Sequence, residues 1–369
     1  MRDLSHCQKI VIKVGTSLLT STAGIFSHAK LEKLGHEISG LIRGGKKVVL
    51  VSSGAIGLGM DVQDMKERPR SMAQLQACAA IGQGKLIHAY EKFFSKRNLH
   101  TAQILLTRDV LENRGRFLKA RQTLDELLKM RVLPIINEND TVATDEIAFG
   151  DNDILSVHVA HLVHADLLII LSDVDGFFLK DGSRVRHVSS EEEIERDLVK
   201  HLKGKVNIKS VGGMKAKLAA ARVSMRLSMP LLIVNGHEEG IIERALQGED
   251  VGTFFSPGEN RRNAREKWIA FSAARRGALI VDDGAYRALK SGKNSLLARG
   301  ILKMRGQFGC REVVELETQG GSVFGRGIIR YTSEDLGEML GKTSDEIQKS
   351  IGSKYQGEVI HRDDLVVWG

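Results

Sequence analysis

Residues 9–17 read Lys9-Ile10-Val11-Ile12-Lys13-Val14-Gly15-Thr16-Ser17. A short run this rich in Ile and Val is a buried strand. Lys13 interrupts it, and a lysine inside an apolar strand is costly to bury without an anion beside it. The alternative places Lys13 at an exposed strand end. Gly15 then frees the turn, and Thr16 and Ser17 offer hydroxyls. Such a strand end suits phosphate.

Working outward, the same texture repeats. Lys9–Val14, Lys47–Ser52, Thr101–Leu106, Val132–Ile136, Leu167–Leu171 and Leu231–Val234 read as buried strands of a largely parallel sheet. Between them the spacing predicts helices over 28–43, 71–97, 114–130, 153–164, 190–202, 213–228 and 238–247. Leu31, Leu34, Ile38, Leu41 and Ile42 mark the apolar face of the first. The fold class is therefore α/β, with helices covering both faces of the sheet.

Beyond residue 258 the texture changes. Glu259–Lys267 is polar and basic, and 259–276 reads as a basic linker between a domain at 1–258 and another at 277–369. Strand-like runs follow at Ala278–Val281, Gly300–Met304, Glu312–Leu316, Val323–Phe324 and Gly327–Tyr331. A helix is expected near Tyr286–Lys290, and closing helices at Asp335–Gly341 and Ser344–Ser350. The 369 residues carry a net charge of +8, all of it attributable to residues 259–330, with 15 Lys/Arg against 7 Asp/Glu. Charge concentrated on one module suggests two modules with different partners.

Apolar residues at 42% and charged residues at 27% fit a globular chain rather than a disordered one. The longest unbroken apolar stretch, Leu167–Leu171, is far short of a membrane span. Cys7, Cys78 and Cys310 stand far apart, which points to reduced thiols in the cytoplasm.

Five further stretches carry chemistry. Ser52-Ser53-Gly54-Ala55-Ile56-Gly57-Leu58-Gly59 reads as a glycine-rich loop whose N–H groups can approach a charged ligand, or as close helix packing. Asn137-Glu138-Asn139-Asp140 and Gly150-Asp151-Asn152-Asp153 suit an amino group, a metal or waters, or else ordinary turns and caps, with Asn152 or Asp153 capping the following helix. Ser172-Asp173-Val174-Asp175-Gly176 closes a strand with two carboxylates. Gly212-Gly213-Met214-Lys215-Ala216-Lys217 opens a helix with free N–H donors and two lysines, an anion site, although Lys217 would also pass for a solvated first-turn lysine.

Three matches fail. Gly40–Lys47 has Lys47 where a P-loop needs Ser or Thr, and it precedes a strand. His158, His161 and His164 spread about 120° around a helix and read as helix-surface residues, not as metal ligands. His361-Arg362-Asp363 lacks the downstream Asn of a protein-kinase catalytic loop.

Together, Lys13–Ser17, Val51–Ile56, Leu106-Thr107-Arg108, Ile136–Asp140, Gly150–Asp153 and Gly212–Met214 resemble the amino acid kinase family, and within it the branch acting on glutamate. Gly277–Gly284 and Ser295–Ile301 resemble a PUA domain, which bacterial members often carry in this position.

The resemblance implies a three-layer αβα sandwich and ATP-dependent phosphorylation of the L-glutamate γ-carboxylate. Lys13 and Lys217 would neutralise the moving phosphoryl group, with Asp153 holding them. Ser53, Gly54, Asn137, Asp140 and Asn152 would bind glutamate. Lys13, Gly15, Ser172, Asp173, Val211, Gly212, Gly213, Met214, Lys215, Ala216 and Lys217 would form the ATP side, Mg2+ arriving with the nucleotide and no metal held by the protein itself. It also implies proline as feedback inhibitor, a homo-oligomer and hand-off of the product to γ-glutamyl phosphate reductase. The family pattern Gly-Thr-Gly-Gly-Met becomes Ser210-Val211-Gly212-Gly213-Met214 here, and Ala216 replaces the threonine before the lysine. The competing readings are a sibling kinase for another small carboxylate and an RNA-binding factor acting through the PUA domain. Against the latter, residues 331–369 are acidic, with 8 Asp/Glu against 4 Lys/Arg.

Overall fold

The computed structural model describes residues 3–20, 26–142, 151–199, 208–257, 264–272, 275–292, 294–340, 342, 346–348, 352 and 357–368. They divide into two compact units, one of Met1–Leu111 with Gly115–Asn260, the other of Arg261–Gly369 with Glu112–Arg114.

In the first unit the described residues form one sheet of eight strands. These are β1 (Lys9–Val14), β2 (Lys47–Ser52), β3 (Thr101–Leu106), β4 (Leu133–Glu138), β5 (Leu167–Ser172), β6 (His187–Val188), β7 (Leu231–Asn235) and β8 (Thr253–Phe255). Their order is β3-β4-β2-β1-β5-β7-β8-β6, and every pairing is parallel except β7 with β8. The expected α/β sheet is thus present. β6 and β8 escaped the sequence because two or three residues are too few to show a period.

Strand alternation sorts β1 between two layers. Ile10, Ile12 and Val14 enter a core with Leu31, Leu34 and Ile38 of α1 (His28–Arg43). After α2 (Ala55–Val62), α3 (Met72–Ser95) adds Leu86, Tyr90 and Phe94 to the same core. Lys13 therefore faces the other layer. There, beyond α4 (Arg108–Glu112) and α5 (Arg114–Lys129), lies α6 (Asp151–Leu162). Next come α7 (Glu191–Glu193), which continues as a π-helical turn over Ile194–Val199, and α8 (Ile208–Arg226), which packs on α6.

Three local expectations change. The glycine-rich loop after β2 is the helix α2. A Cβ on Gly59 would lie 1.8 Å from the Cys78 carbonyl oxygen, and one on Gly82 1.8 Å from that of Ala55, so these glycines let α2 and α3 touch backbone to backbone. α6 begins at Asp151, which puts Asn152 and Asp153 inside its first turn instead of at its cap. α8 begins at Ile208, so Gly212 and Gly213 lie in its second turn. The described N–H groups left without an intrahelical acceptor are then those of Ile208, Lys209 and Ser210.

The second unit has its own core around Leu279, Val281, Val314, Leu316, Phe324 and Leu336. Its five-stranded sheet is ordered β11 (Ile301–Gly306), β9 (Arg275–Val281), β12 (Val313–Glu317), β13 (Val323–Ile328), β15 (Leu365–Val367). β10 (Leu296–Leu297) pairs separately with β14 (Glu358–Ile360). The run at 323–324 and the start of the run at 327–331 join as the one strand Val323–Ile328, and Ile329–Tyr331 lie beyond it. Its Gly325 and Gly327 break the apolar pattern because a Cβ would meet Val366 O at 2.8 Å and Ile360 Cγ2 at 2.6 Å. Helices Asp283–Lys290 and Ser333–Met339 are capped by Asp282 and Thr332. Of 344–350 only 346–348 are described, and they are helical. Within the segment read as a linker, Ala264–Lys267 is helical and Trp268, Ile269 and Ala270 are buried.

Candidate active site

The carboxyl ends of β4, β2, β1 and β5 stand side by side in that order. The chain leaves β1 toward β2 and returns on the opposite side as β5, which opens a crevice at the strand ends.

Lys13 Nζ lies 2.5 Å from Asp153 Oδ1, and Lys217 Nζ lies 3.6 Å from Asp153 Oδ2. All three side chains are buried. Burial above all pushes the Lys13 pKa below its ordinary 10.5. Asp153 pulls it back up, Lys217 lowers it further, and Asp173 raises it. Two ammonium groups share one carboxylate, so the centre carries surplus positive charge away from water. Glycines stand beside it: a Cβ on Gly15 would lie 3.9 Å from Lys13 Nζ, and one on Gly213 3.9 Å from Lys217 Nζ. The anionic partner expected for Lys13 is Asp153. Lys217 is a buried third-turn residue, not a solvated one, whereas Lys215, about 200° away around the helix, is exposed.

Asn152 precedes Asp153 on α6 and turns about 100° from it. Its Nδ2 donates to Ser53 Oγ (2.8 Å), Asn137 Oδ1 (3.0 Å) and Ser52 O (3.2 Å). Its buried Oδ1 has no hydrogen-bond partner among the described residues. A buried amide oxygen left unpaired costs free energy, so it marks where a ligand donor fits. Asn137 Nδ2 in turn donates to Gln83 Oε1 (2.9 Å). Gln83 also lines a cavity of about 280 Å3 with Gln103, Glu138, Asn139 and Asp140. Ser53, Asn137 and Asn152 are thus joined directly, and Asp140 stands in the adjoining cavity. Gly54 takes φ 107°, which a side chain would strain, and starts α2.

On the other flank, buried Ser172 donates to Asp173 Oδ1 (3.1 Å), and its carbonyl accepts from Gly236 N (2.8 Å). Asn235 Nδ2 donates to Asp175 Oδ1 (2.8 Å) and so fastens this loop to the end of β7. Met214 and Ala216 are half-buried on α8, and Val211 and Gly212 belong to its backbone. Among the described residues no group of three or more His, Cys, Asp or Glu could hold a metal ion. Contrary to the helix-surface reading, His161 is buried, its ring 6.1 Å from that of Phe117.

Sequence reasoning overlooked Gln83, Tyr90 and Asn235. Gln83 had a signal: it is a polar residue beside Ala79, Gly82 and Leu86 on the buried side of α3.

The amino acid kinase family model matches residues 8–235, and the PUA domain model matches residues 277–351. The chain is 44% identical over 362 residues to a glutamate 5-kinase of Caldanaerobacter subterraneus subsp. tengcongensis, covering 97% of each chain. It is 41% identical to one of Geobacter sulfurreducens, covering 99% of this chain and 98% of the relative. Among solved structures, the carbamate kinase of Giardia aligns with 69% of this chain and all of its own at a TM-score of 0.52, with 18% identity, a likeness of fold alone. With the family model spanning seven of the eight described strands of the sheet and both lysines, the chain belongs to the amino acid kinase family.

Proposed function

We propose that the chain is a glutamate 5-kinase, transferring the γ-phosphoryl group of ATP to the γ-carboxylate of L-glutamate in the first step of proline biosynthesis. The observation that carries this reading is the buried Lys13–Asp153–Lys217 centre, whose two ammonium groups and single carboxylate leave positive charge for a phosphoryl group. The full-length likeness to glutamate 5-kinases supplies the acceptor.

In this mechanism a γ-carboxylate oxygen attacks the terminal phosphorus of ATP, the bond to the bridging oxygen breaks, and ADP leaves with its electron pair. The carboxylate is already ionised near pH 7, so no general base is required. Phosphoryl transfer asks mainly for alignment and for positive charge around the equatorial oxygens. Lys13 and Lys217 supply that charge, and Asp153 orients them. Asn152, through its unpaired Oδ1, accepts from the substrate ammonium, which Asp140 also attracts from the adjoining cavity. Ser53, Gly54 and Asn137 complete the acceptor side. Gly15, Ser172, Asp173 and the 211–217 segment flank the nucleotide. Mg2+ would travel with the ATP phosphates; the described side chains offer it no cage, and no step here passes through it.

The same family likeness supports proline feedback, a homo-oligomer, delivery of γ-glutamyl phosphate to a reductase and a cytoplasmic setting. It also supports a catalytic domain at 1–258 joined to the PUA domain at 277–369. Within the basic segment, exposed Arg275, Arg276 and Arg305 pair with Glu315, Glu312 and Glu317.

Trapping the product with hydroxylamine tests the proposal. Hydroxamate should form with glutamate and Mg-ATP, and proline should suppress it. A folded preparation that used aspartate or N-acetylglutamate but not glutamate would overturn it.

A further inference from the structure

Behind the acceptor side stands a tyrosine that the mechanism does not use. The Tyr90 hydroxyl, fully buried on α3, lies 2.9 Å from the equally buried Ser52 Oγ. Ser52 Oγ donates its only proton to the Ser53 carbonyl (3.2 Å), so Tyr90 is the donor of the pair. Burial pushes the Tyr90 pKa up, and the phenol keeps its proton. The Ser52 carbonyl accepts from Asn152 Nδ2, which also reaches Ser53 Oγ. Tyr90 thus anchors a hydroxyl that braces the backbone of Ser53, and Ser52 and Ser53 carry two of the three acceptors that orient the Asn152 amide, the Ser52 carbonyl and the Ser53 hydroxyl.

Tyr90 shares its helix stripe with Gln83, seven residues earlier, which holds Asn137, the third acceptor. One face of α3 therefore supports both halves of the Asn152 clasp. The helix is itself located by the backbone contacts at Gly59 and Gly82. Packing alone would be served by phenylalanine at position 90, since the ring lies in the core and stacks with Phe94. The hydroxyl is the part left to explain.

We propose that Tyr90 is a positioning residue for the acceptor substrate, acting through Ser52 to fix the Ser53 and Asn152 geometry without touching the ligand. This rests on the acceptor-side reading given above. Because its effect ends at the Ser52–Ser53 peptide, it sets affinity for the amino acid and leaves the nucleotide side unaltered.

Steady-state kinetics on the full chain test this with Tyr90→Phe, Ser52→Ala and the double variant. Tyr90→Phe should raise KM for glutamate about three- to tenfold, with KM for ATP and kcat within about twofold of the parent. Ser52→Ala should raise KM for glutamate at least as much, and the double variant should be no worse than Ser52→Ala alone, because the tyrosine acts through the serine. An unchanged KM for glutamate in Tyr90→Phe, a parallel rise in both KM values, or full additivity in the double variant overturns the proposal. The unmodified chain separates the two levels of inference. If it phosphorylates a different carboxylate, the glutamate assignment falls, and the same KM split measured with that acceptor still decides the role of Tyr90.

Discussion

Removing one ammonium from the Lys13–Asp153–Lys217 centre leaves Asp153 with the other, whereas removing the carboxylate leaves two buried cations facing each other. Lys13→Ala and Lys217→Ala should therefore keep the fold, by circular dichroism, while lowering kcat by about 100-fold or more, the usual scale for losing a preorganised charge. Rates within threefold of the parent would remove them from the reaction. Asp153→Asn should cost more stability than either lysine variant, about 3 kcal/mol by urea unfolding, because buried charge is left uncompensated. The depressed Lys13 pKa also sets a pH dependence. The working form is the charged one, and raising the pH removes its proton. The alkaline limb of kcat/KM for ATP should then fall below the ordinary lysine value of 10.5. Lys13→Arg, slower overall, should lose that limb, and a parent profile flat through pH 10 would contradict the assignment.

At the scale of elements, glycines show what was legible in the sequence and what was not. The strands β1 and β2 match their expected spans because Val/Ile runs buried on both faces leave little ambiguity, and the half-buried edge strand β3 matches its span as well. The stretch 54–59 misleads, because its glycines signal both a ligand loop and a close helix contact, and only the facing helix decides between them. Gly59→Ala should destabilise by about 2 kcal/mol in denaturant unfolding, since its methyl group would collide with the Cys78 backbone. Gly57→Ala, on the same helix with nothing within 4 Å of the added carbon, should instead be neutral or stabilise by up to about 1 kcal/mol. Equal effects at the two positions would refute the packing argument. The Lys13–Asp153 pair was half legible: a strand lysine demands an anion, yet residues 140 positions apart give no local sign of which one. Tyr90 gave none, because a tyrosine on an apolar helix face reads as core until its hydroxyl is seen to have an address.

Among the described residues each of the two units holds apolar core of its own. Calorimetry should resolve two unfolding transitions, and a non-hydrolysable ATP analogue with glutamate should raise only the one belonging to the unit that holds Lys13. A single transition that shifts as one would show the units to be thermodynamically fused. The sheet order has a consequence in time as well. β1 is made before the other described strands of its sheet and finishes in the middle of it, bonded to β2 on one side and to β5 on the other. β2 follows soon after, but β5 starts only at Leu167, roughly 10–30 s later at ordinary rates of synthesis. Through that interval the growing chain shows an open sheet edge with an unmatched lysine in it. A charge on an unpaired strand edge opposes wrong strand pairing, and Lys13 carries one there until α6 brings the carboxylate of Asp153.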